Sequence, residues 1–294
     1  MTSKIDEVIV LYNPVSTGSS AENAKQLVEQ LKNISKELNV HLKKTEYAGH
    51  AEELAKEYAK SKKTVLLVSS SGDGGYNELI NGALSIKPNN IYTSLLPSGN
   101  ANDHYNFIGT DSLVEHIVSG KSKRIDVLKV TSRIAGKPWV RYAHSYVGIG
   151  LTPVIGKELT KEKLNFFNEK WLTLKYLFKF HHVTIIRKDK KIRYSSLIFS
   201  NINQMSKVIQ LSKNASINDG KFEVNAIRHR SKFYLIMQLF RAATIGLEEN
   251  SSLDMYEFKT LKKALIQLDG EDFTLDGKAI VKIESVHKAL EIIT

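Results

Sequence analysis

Two acidic residues separated by one glycine are candidates for proton-transfer chemistry. Asp269 and Glu271 flank Gly270 in the segment LDGE. A carboxylate can accept the proton of a hydroxyl group that attacks a phosphoryl group. In an extended strand end these two side chains, two positions apart, would point to the same side. Because coupled carboxylates cannot be separated from sequence, we predict both as catalytic candidates. An isolated Asp-Gly-Glu is also typical of a surface turn with solvated acids.

Three polar segments that contain glycine are candidates for phosphate binding. They are Asn13–Gly18, Ser71–Gly75 and Pro97–Asp103. Glycine permits positive φ and lets backbone amides approach a phosphate, while the start of a following helix adds partial positive charge. One such loop is weak evidence for phosphate binding, because a tight strand-to-helix turn needs glycine for its geometry alone. Three such loops together favour a phosphate site.

The loop around Asp73 matches neither common phosphate fingerprint. It lacks the Gly-Lys-Ser/Thr of a P-loop, and its glycines do not have the G-x-G-x-x-G spacing. We therefore predict a different nucleotide site, in which Asp73 contributes to a Mg²⁺ ion that screens the triphosphate.

Alternating elements position these segments in the N-terminal part of the chain. Apolar periodicity predicts strands at 7–13, 40–47, 64–69 and 91–96, with helices at 20–38, 50–60 and 76–85. Such alternation with short connections is typical of an α/β domain with a mostly parallel sheet covered on both faces. The three polar segments follow strands, and ligands of such sheets bind at the carboxyl ends of the strands.

The pattern changes near Asp126 to strands of alternating polarity. We predict strands at 141–147, 182–187, 191–201, 221–227, 256–268 and 279–286. The fold class is therefore an α/β nucleotide-binding domain followed by a C-terminal β-sandwich. The predicted domains are 1–126 and 127–283, with 284–294 folding back onto the first domain.

Composition and charge limit the possible cellular compartments and binding partners. The chain has 294 residues, a net charge of +11 and no cysteine, which excludes disulfides and zinc-thiolate sites. No apolar run approaches the roughly 20 residues of a membrane-spanning helix, and the N-terminal apolar run is too short for a secretory signal. We expect a cytoplasmic protein with an anionic partner. Nothing suggests nucleic acid besides the charge.

The motifs resemble those of the bacterial diacylglycerol kinase family, which is related to sphingosine kinases and more remotely to NAD kinases. Gly72-Asp73-Gly74 with Asn77-Glu78 and Asn81-Gly82 is similar to its GGDGT-x-NE-x-x-NG signature. The other matching segments are Asn13-Pro14 with Ser16 and Gly18, the run Pro97 to Asp103, Asp219-Gly220, and Leu268-Asp269-Gly270-Glu271.

The resemblance implies a fold, a nucleotide site and a metal site. It implies a nucleotide domain and a β-sandwich lipid domain, with ATP and Mg²⁺ as cofactors and the general base in the 268–271 segment. The implied nucleotide-binding residues are Asn13, Ser16, Thr17, Thr45, Ser71, Gly72, Asp73, Gly74, Gly75, Asn77 and Asn100. The implied structural magnesium site comprises Asp219, Lys221 and the position of Ser216.

The sequence departs from the family pattern at informative positions. Ser71 stands where the first glycine of GGDGT is usual, Gly75 replaces its threonine, and Asn100 replaces the threonine of the P-x-GT segment. Two hydroxyl groups that could bind phosphate are therefore absent. Losing a hydrogen bond to a charged group costs on the order of 1.5 to 3 kcal/mol, so activity could be reduced without being abolished.

The resemblance implies a peripheral enzyme that phosphorylates a membrane lipid. Diacylglycerol is the first candidate substrate, and phosphatidylglycerol or a sphingoid base stays open. The alternatives are an NAD kinase-like enzyme, or a nucleotide- or lipid-binding protein that has lost catalysis. Residues 161–179 interleave lysines with aromatic residues, as suits an anionic membrane surface. A core-packed helix is the alternative for this segment, and a homodimer is left open.

Overall fold

A computed structural model describes residues 5–16, 18–86, 90–109, 112–153, 182–205, 209–247 and 251–294. The chain divides into two compact units, which we call unit 1 (Met1–Val127 with His287–Thr294) and unit 2 (Leu128–Val286). Among the described residues, no helix is both long enough and apolar enough to cross a membrane.

Unit 1 alternates strands and helices. Its strands are β1 (Glu7–Tyr12), β2 (Asn39–Lys44), β3 (Val65–Ser71) and β4 (Ile91–Pro97). Its helices are α1 (Ser20–Ile34), α2 (His50–Tyr58), α3 (Asp73–Leu84), α4 (Asp103–Ile108) and α5 (Leu113–Ser119).

The sheet of unit 1 is parallel, in the order β2-β1-β3-β4. Strand β3 is buried along its whole length, as expected of a parallel strand covered on both faces. Helix α1 packs Ala24, Leu27 and Leu31 into the core beside this sheet, and these residues recur at helical spacing. The predicted α/β fold with a mostly parallel sheet is confirmed.

All three predicted helices differ from the prediction at their ends, and α2 ends at Tyr58 rather than at residue 60. Helix α1 ends at Ile34 because Ser35 is extended (φ −136°, ψ 106°), yet Leu38 still packs against the core from the following loop. The helical period of the sequence therefore runs past the end of the helix. Helix α3 begins at Asp73 rather than Tyr76, so the two glycines of the loop form its first turn, where glycine is tolerated better than in a helix interior.

Unit 2 is rich in strands, with one long helix among its described residues. The elements begin with β5 (Lys123–Ile134), β6 (Lys137–Ala143), β7 (Tyr146–Gly150), β8 (Val183–Arg187), β9 (Lys190–Ser200), β10 (Gln204–Met205) and β11 (Ile209–Gln210). They continue with β12 (Phe222–Arg228), α6 (Lys232–Thr244), β13 (Ser251–Leu253), β14 (Met255–Thr260), β15 (Ala264–Leu268), β16 (Glu271–Leu275) and β17 (Ile280–Ile292). Strands β5 and β17 have residues in both units.

Antiparallel pairs dominate unit 2. Strand β9 pairs with β7, β8 and β12, and one apolar cluster that includes Phe199, Phe222 and Val281 lies beside these strands. The β-rich character predicted for this part of the chain is confirmed. Two predicted strands are interrupted: the segment 141–147 breaks at His144 and Ser145, and 256–268 breaks between Thr260 and Ala264.

Candidate functional site

The three polar segments lie at the carboxyl ends of neighbouring parallel strands. Asn13–Gly18 follows β1, Ser71–Gly75 spans the end of β3, and Pro97–Asp103 follows β4. Because β1 and β4 both pair with β3, the three segments lie on one edge of the sheet. We call these segments the polar rim.

Ser98 joins the parts of the polar rim. Its carbonyl oxygen accepts the Ser16 hydroxyl at 2.6 Å and the Gly18 amide at 3.1 Å. Its own amide donates to the Ser71 carbonyl oxygen at 2.9 Å, and its hydroxyl bonds Ser70 at 3.0 Å and accepts from the Asn23 amide group at 3.0 Å. Ser98 was not predicted as a site residue, although it lies inside a predicted segment.

The loops after β3 and β4 touch through glycine. A Cβ atom on Gly99 would lie 2.3 Å from the Cα atom of Gly72, so a side chain at Gly99 would push the two loops apart. Asp73 adds a polar link, because its two carboxylate oxygens accept the amides of Asp103 and His104 at 3.0 and 3.2 Å. Asp73 therefore holds the start of α4 against the glycine loop.

The start of α3 is the feature of the polar rim best suited to an anion. Gly72 precedes the helix in an extended conformation and, as a glycine, offers no side chain to cap the first turn. The first amides of a helix have no partner within the helix, and they carry the positive end of its dipole. A phosphate group at this position would meet Asp73, Gly74 and Gly75 through their backbones.

Ser71 and Gly75, two departures from the family pattern, share one space. A Cβ atom on Gly75 would lie 2.6 Å from Oγ and 2.7 Å from Cβ of Ser71. The Ser71 hydroxyl bonds Ser69 at 2.7 Å and donates to the Gly72 carbonyl oxygen at 3.0 Å. The Ser71 side chain therefore occupies the space that a side chain at Gly75 would need.

This shared space predicts non-additive effects on stability. Gly75→Thr alone is expected to destabilise unit 1 by about 1 to 3 kcal/mol, because the new side chain overpacks against Ser71. Adding Ser71→Gly should recover at least about 1 kcal/mol of that loss. Chemical denaturation of the wild type, both single variants and the double variant, followed by far-ultraviolet circular dichroism, measures the coupling. Additive effects would contradict the shared space.

The other nominated nucleotide residues have different surroundings. The Asn13 side chain accepts the Val15 amide at 3.0 Å, and the Thr45 hydroxyl donates to the Tyr12 carbonyl oxygen at 3.2 Å. Asn77 is fully buried in α3, and its side-chain oxygen accepts from Asn81 at 3.0 Å. Asn100 is exposed at the tip of its loop. Two of the predictions, Thr17 and the segment 161–179, lie outside the described residues.

An aromatic pair of an exposed tyrosine and a partly exposed histidine follows Thr45 in the chain. The rings of Tyr47 and His50 stack with centroids 4.7 Å apart and planes 8° apart. The Tyr47 hydroxyl donates to Glu53 at 2.7 Å, and this hydrogen bond raises the pKa of Tyr47 above its ordinary value. This pair was not predicted, although an aromatic residue after a parallel strand is a signal available in the sequence.

Asp269 is a buried anchor of unit 2. Asp269 and Gly270 form a two-residue turn between β15 and β16, both with positive φ (48° and 95°). The Asp269 carboxylate accepts the amides of His144, Ser145 and Tyr146 at 2.7, 3.1 and 2.9 Å. The Asp269 and His144 side chains are both 0% exposed, with Nε2 of His144 3.3 Å from the carboxylate.

Glu271 differs from Asp269 in its exposure and in its partner. Its carboxylate forms an ion pair with Arg141 at 2.8 Å, and 23% of its side chain is exposed. The Arg141 guanidinium also lies 5.4 Å from the centre of the Phe273 ring. The expectation that Asp269 and Glu271 stand together on an extended strand end is wrong, because the chain reverses between them.

The segment that contains Asp219 is an exposed turn. Oδ1 of Asp219 accepts the Lys221 amide at 3.0 Å, and the Ser216 hydroxyl donates to Asn218 at 3.2 Å. Within the part of the chain that the structure describes, no three His, Asp or Glu side chains are grouped closely enough to hold a metal ion. A magnesium site at Asp219, Ser216 and Lys221 stays a prediction.

A family comparison matches the domain that carries the polar rim. Residues 7–130 match the diacylglycerol kinase catalytic domain family. The resemblance to diacylglycerol kinases is confirmed. The match covers most of unit 1 and the first residues of unit 2, and a kinase follows from it as the coarse functional class. No curated protein matches the sequence.

Solved structures share the fold over almost the whole chain. A diacylglycerol kinase of Bacillus anthracis strain Sterne has a TM-score of 0.68 at 17% identity, covering 99% of this chain and 97% of that one. A second protein of that strain, proposed to be a diacylglycerol kinase, has a TM-score of 0.72 at 18% identity, with coverages of 99% and 98%. Yeast NADH kinase, solved with NADH, has a TM-score of 0.51 at 13% identity, with coverages of 99% and 83%. At these identities the likeness shows the fold alone.

Proposed function

We propose that the chain is an ATP-dependent kinase that transfers a phosphoryl group to the hydroxyl of a lipid alcohol, with diacylglycerol as the first candidate. The observation that carries the proposal is the polar rim, three hydrogen-bonded loops at the carboxyl edge of a parallel sheet. It lies within residues that match a diacylglycerol kinase catalytic domain. Such an edge is where open α/β sheets bind their ligands.

The nucleotide phosphates would bind mainly through the backbone. Several rim side chains bond within the loops: Asn13 to Val15, Ser16 to Ser98, and Ser71 to Gly72. Gly72, at the start of α3, offers no side-chain cap, and the first amides of a helix together with its dipole suit a phosphate group. This arrangement supports a phosphate site that does not need the family threonine at Gly75.

The proposed reaction requires Mg²⁺, and the protein needs to supply only a few of its ligands. Mg²⁺ on a nucleotide is typically held by phosphate oxygens and one or two carboxylates, so a larger cluster is not required. The carboxylate at the start of α3 belongs to Asp73, and oxygen is the ligand type that Mg²⁺ prefers. When bound, the ion would offset the negative charge of the phosphates.

Glu271 is the better candidate for the general base. A base must come within hydrogen-bond reach of the proton that it accepts, and the Asp269 side chain is completely buried whereas that of Glu271 is partly exposed. We assign proton acceptance to Glu271, as the lipid oxygen attacks phosphorus and the bond to the ADP oxygen breaks. Asp269 is assigned as a positioning residue, because it bonds the backbone that follows Arg141 in the chain.

A second candidate function is a metabolite kinase of the NAD kinase type. It is favoured by the likeness to yeast NADH kinase, and its acceptor would be a soluble dinucleotide. A third candidate is a protein that binds nucleotide without turnover, which the departures at Ser71, Gly75 and Asn100 favour.

One assay separates these candidates. The protein is incubated with γ-labelled ATP and Mg²⁺, with either diacylglycerol, phosphatidylglycerol or a sphingoid base in mixed micelles, or with NAD or NADH in solution. We expect label in a lipid product, strongest with diacylglycerol, and none without Mg²⁺. Label in the dinucleotide alone would favour the second candidate. ATP binding by calorimetry without label in any acceptor would favour the third.

A further inference from the structure

Helix α6 exposes large apolar side chains on one side. Phe233, Met237, Phe240 and Ile245 are 78%, 48%, 71% and 62% exposed. The first three recur at i, i+4 and i+7, so they lie on one face of the helix, and Ile245 follows at its end. We call these four residues the apolar face of α6.

The opposite side of α6 fixes the helix to unit 2. Leu235 is buried against Leu151 and Ile227, and Leu239 packs against the same cluster. The Ser231 hydroxyl accepts the Tyr234 amide at 3.1 Å and caps the start of the helix. Since the helix is already anchored by its other side, the apolar face does not serve the packing of α6 on unit 2.

Between Glu223 and Glu248, every charged residue of the chain that carries the apolar face is positive. The segment 224–247 contains Arg228, Arg230, Lys232 and Arg241, and no Asp or Glu. Arg228, Arg230 and Lys232 are exposed at or just before the start of α6, and the Arg230 guanidinium lies 4.9 Å from the centre of the Tyr234 ring. Exposed phenylalanine beside lysine and arginine is the composition of helices that lie at the interface of an anionic bilayer.

We propose that the apolar face of α6 inserts into the surface of an anionic lipid bilayer, with Arg228, Arg230 and Lys232 against the headgroups. A second copy of the chain fits this surface less well. A two-fold interface places the same patch opposite itself, and two segments without acidic residues would then repel. The anionic surface complements the charge as well as the apolar residues.

The inference deepens the proposed function, since a lipid kinase must reach its acceptor at a bilayer. Vesicle binding needs neither ATP nor turnover, however, so the two can fail separately. A protein that binds vesicles but phosphorylates no lipid would support membrane binding by the apolar face of α6 and overturn the proposed kinase function. A protein that phosphorylates lipid in micelles but binds no vesicles would support the kinase function and overturn the membrane-binding proposal.

Vesicle flotation with the full chain tests the proposal. Vesicles of phosphatidylcholine alone are compared with vesicles that contain phosphatidylcholine and phosphatidylglycerol. We expect binding to the anionic vesicles, weakened on the order of tenfold or more in Phe233→Ser/Phe240→Ser. Arg230→Gln/Lys232→Gln should weaken it by about fivefold per charge removed, at low salt.

Matched variants control for solubility and folding. Ile34→Ser/Val140→Ser removes apolar side chains that are 61% and 48% exposed on α1 and β6, and it should bind vesicles as the wild type does. Thermal unfolding should be unchanged in all variants, because each altered side chain is substantially exposed. Equal vesicle binding by wild type and Phe233→Ser/Phe240→Ser would overturn the proposal. So would a loss of dimers in light scattering with that variant while vesicle binding persists.

Discussion

Glu271→Gln is expected to slow phosphoryl transfer by about 10²- to 10⁴-fold, the usual contribution of a general base. Glutamine keeps the shape of the side chain and can still accept from Arg141, which lies 2.8 Å from the carboxylate. Stability should therefore change by no more than about 1 kcal/mol, as for most partly exposed ion pairs. Turnover with saturating ATP and diacylglycerol, together with calorimetric ATP affinity, measures the effect.

Asp272→Asn is the matched control for this prediction. Asp272 is the next residue of β16, so its side chain points to the opposite face of the strand, where it accepts from Gln267 at 3.1 Å. Its substitution removes a neighbouring charge without touching the proposed base, and turnover should stay within about twofold. Equal losses in the two variants would indicate an effect of charge, and full turnover by Glu271→Gln would place the base elsewhere.

The parallel sheet of unit 1 was predictable because its signals are local. Val8, Val10, Val65 and Val68 fall in short apolar runs, and all four are fully or nearly fully buried. Each run is followed by polar residues and then by a helical period. Since parallel strands end at one edge, the meeting of the loops followed from their positions in sequence alone. The hydrogen bonds of Ser98 could not be predicted from sequence, because they depend on how the loop after β4 folds back.

The sequence around Asp269 has a hairpin signal of its own, besides its resemblance to the family motif. Asp-Gly between alternating apolar residues, here Ile266 and Leu268 before it and Phe273 and Leu275 after it, is typical of a two-residue hairpin with positive φ. Two other two-residue hairpins of unit 2 also have positive φ, at Ala135–Gly136 and Lys188–Asp189, and neither is an Asp-Gly pair. The turn type is thus partly local and partly imposed by the strands.

The burial of Asp269 could not be predicted from its neighbours in sequence. The amides that surround its carboxylate belong to His144, Ser145 and Tyr146, more than 120 positions away. Strand pairing between β7 and β15 brings them together. The separate environments of Asp269 and Glu271 are therefore products of tertiary structure. Helix α6 was not predicted either, although its apolar residues recur with a helical period.

Asp269→Ala is expected to destabilise unit 2 by at least about 3 kcal/mol. The change would leave buried amide donors without their acceptor, and each such group costs about 1 to 3 kcal/mol. Asp269→Asn should cost less, because the amide oxygen can still accept from Ser145 and Tyr146 while the new NH₂ group opposes the His144 amide. Asparagine also tolerates the positive φ of this position, 48°.

Tryptophan fluorescence during chemical denaturation resolves this order of stabilities. Trp139 lies in unit 2, and its ring centroid lies 5.0 Å from that of Phe273 on the strand that follows the turn. Asp276→Ala is the control: that carboxylate also accepts backbone amides, of Ala135 and Gly136, but at an exposed turn, where water can replace it. Its loss should cost about 1 kcal/mol or less. A midpoint unchanged in Asp269→Ala would contradict the positioning role and return Asp269 to consideration as the base.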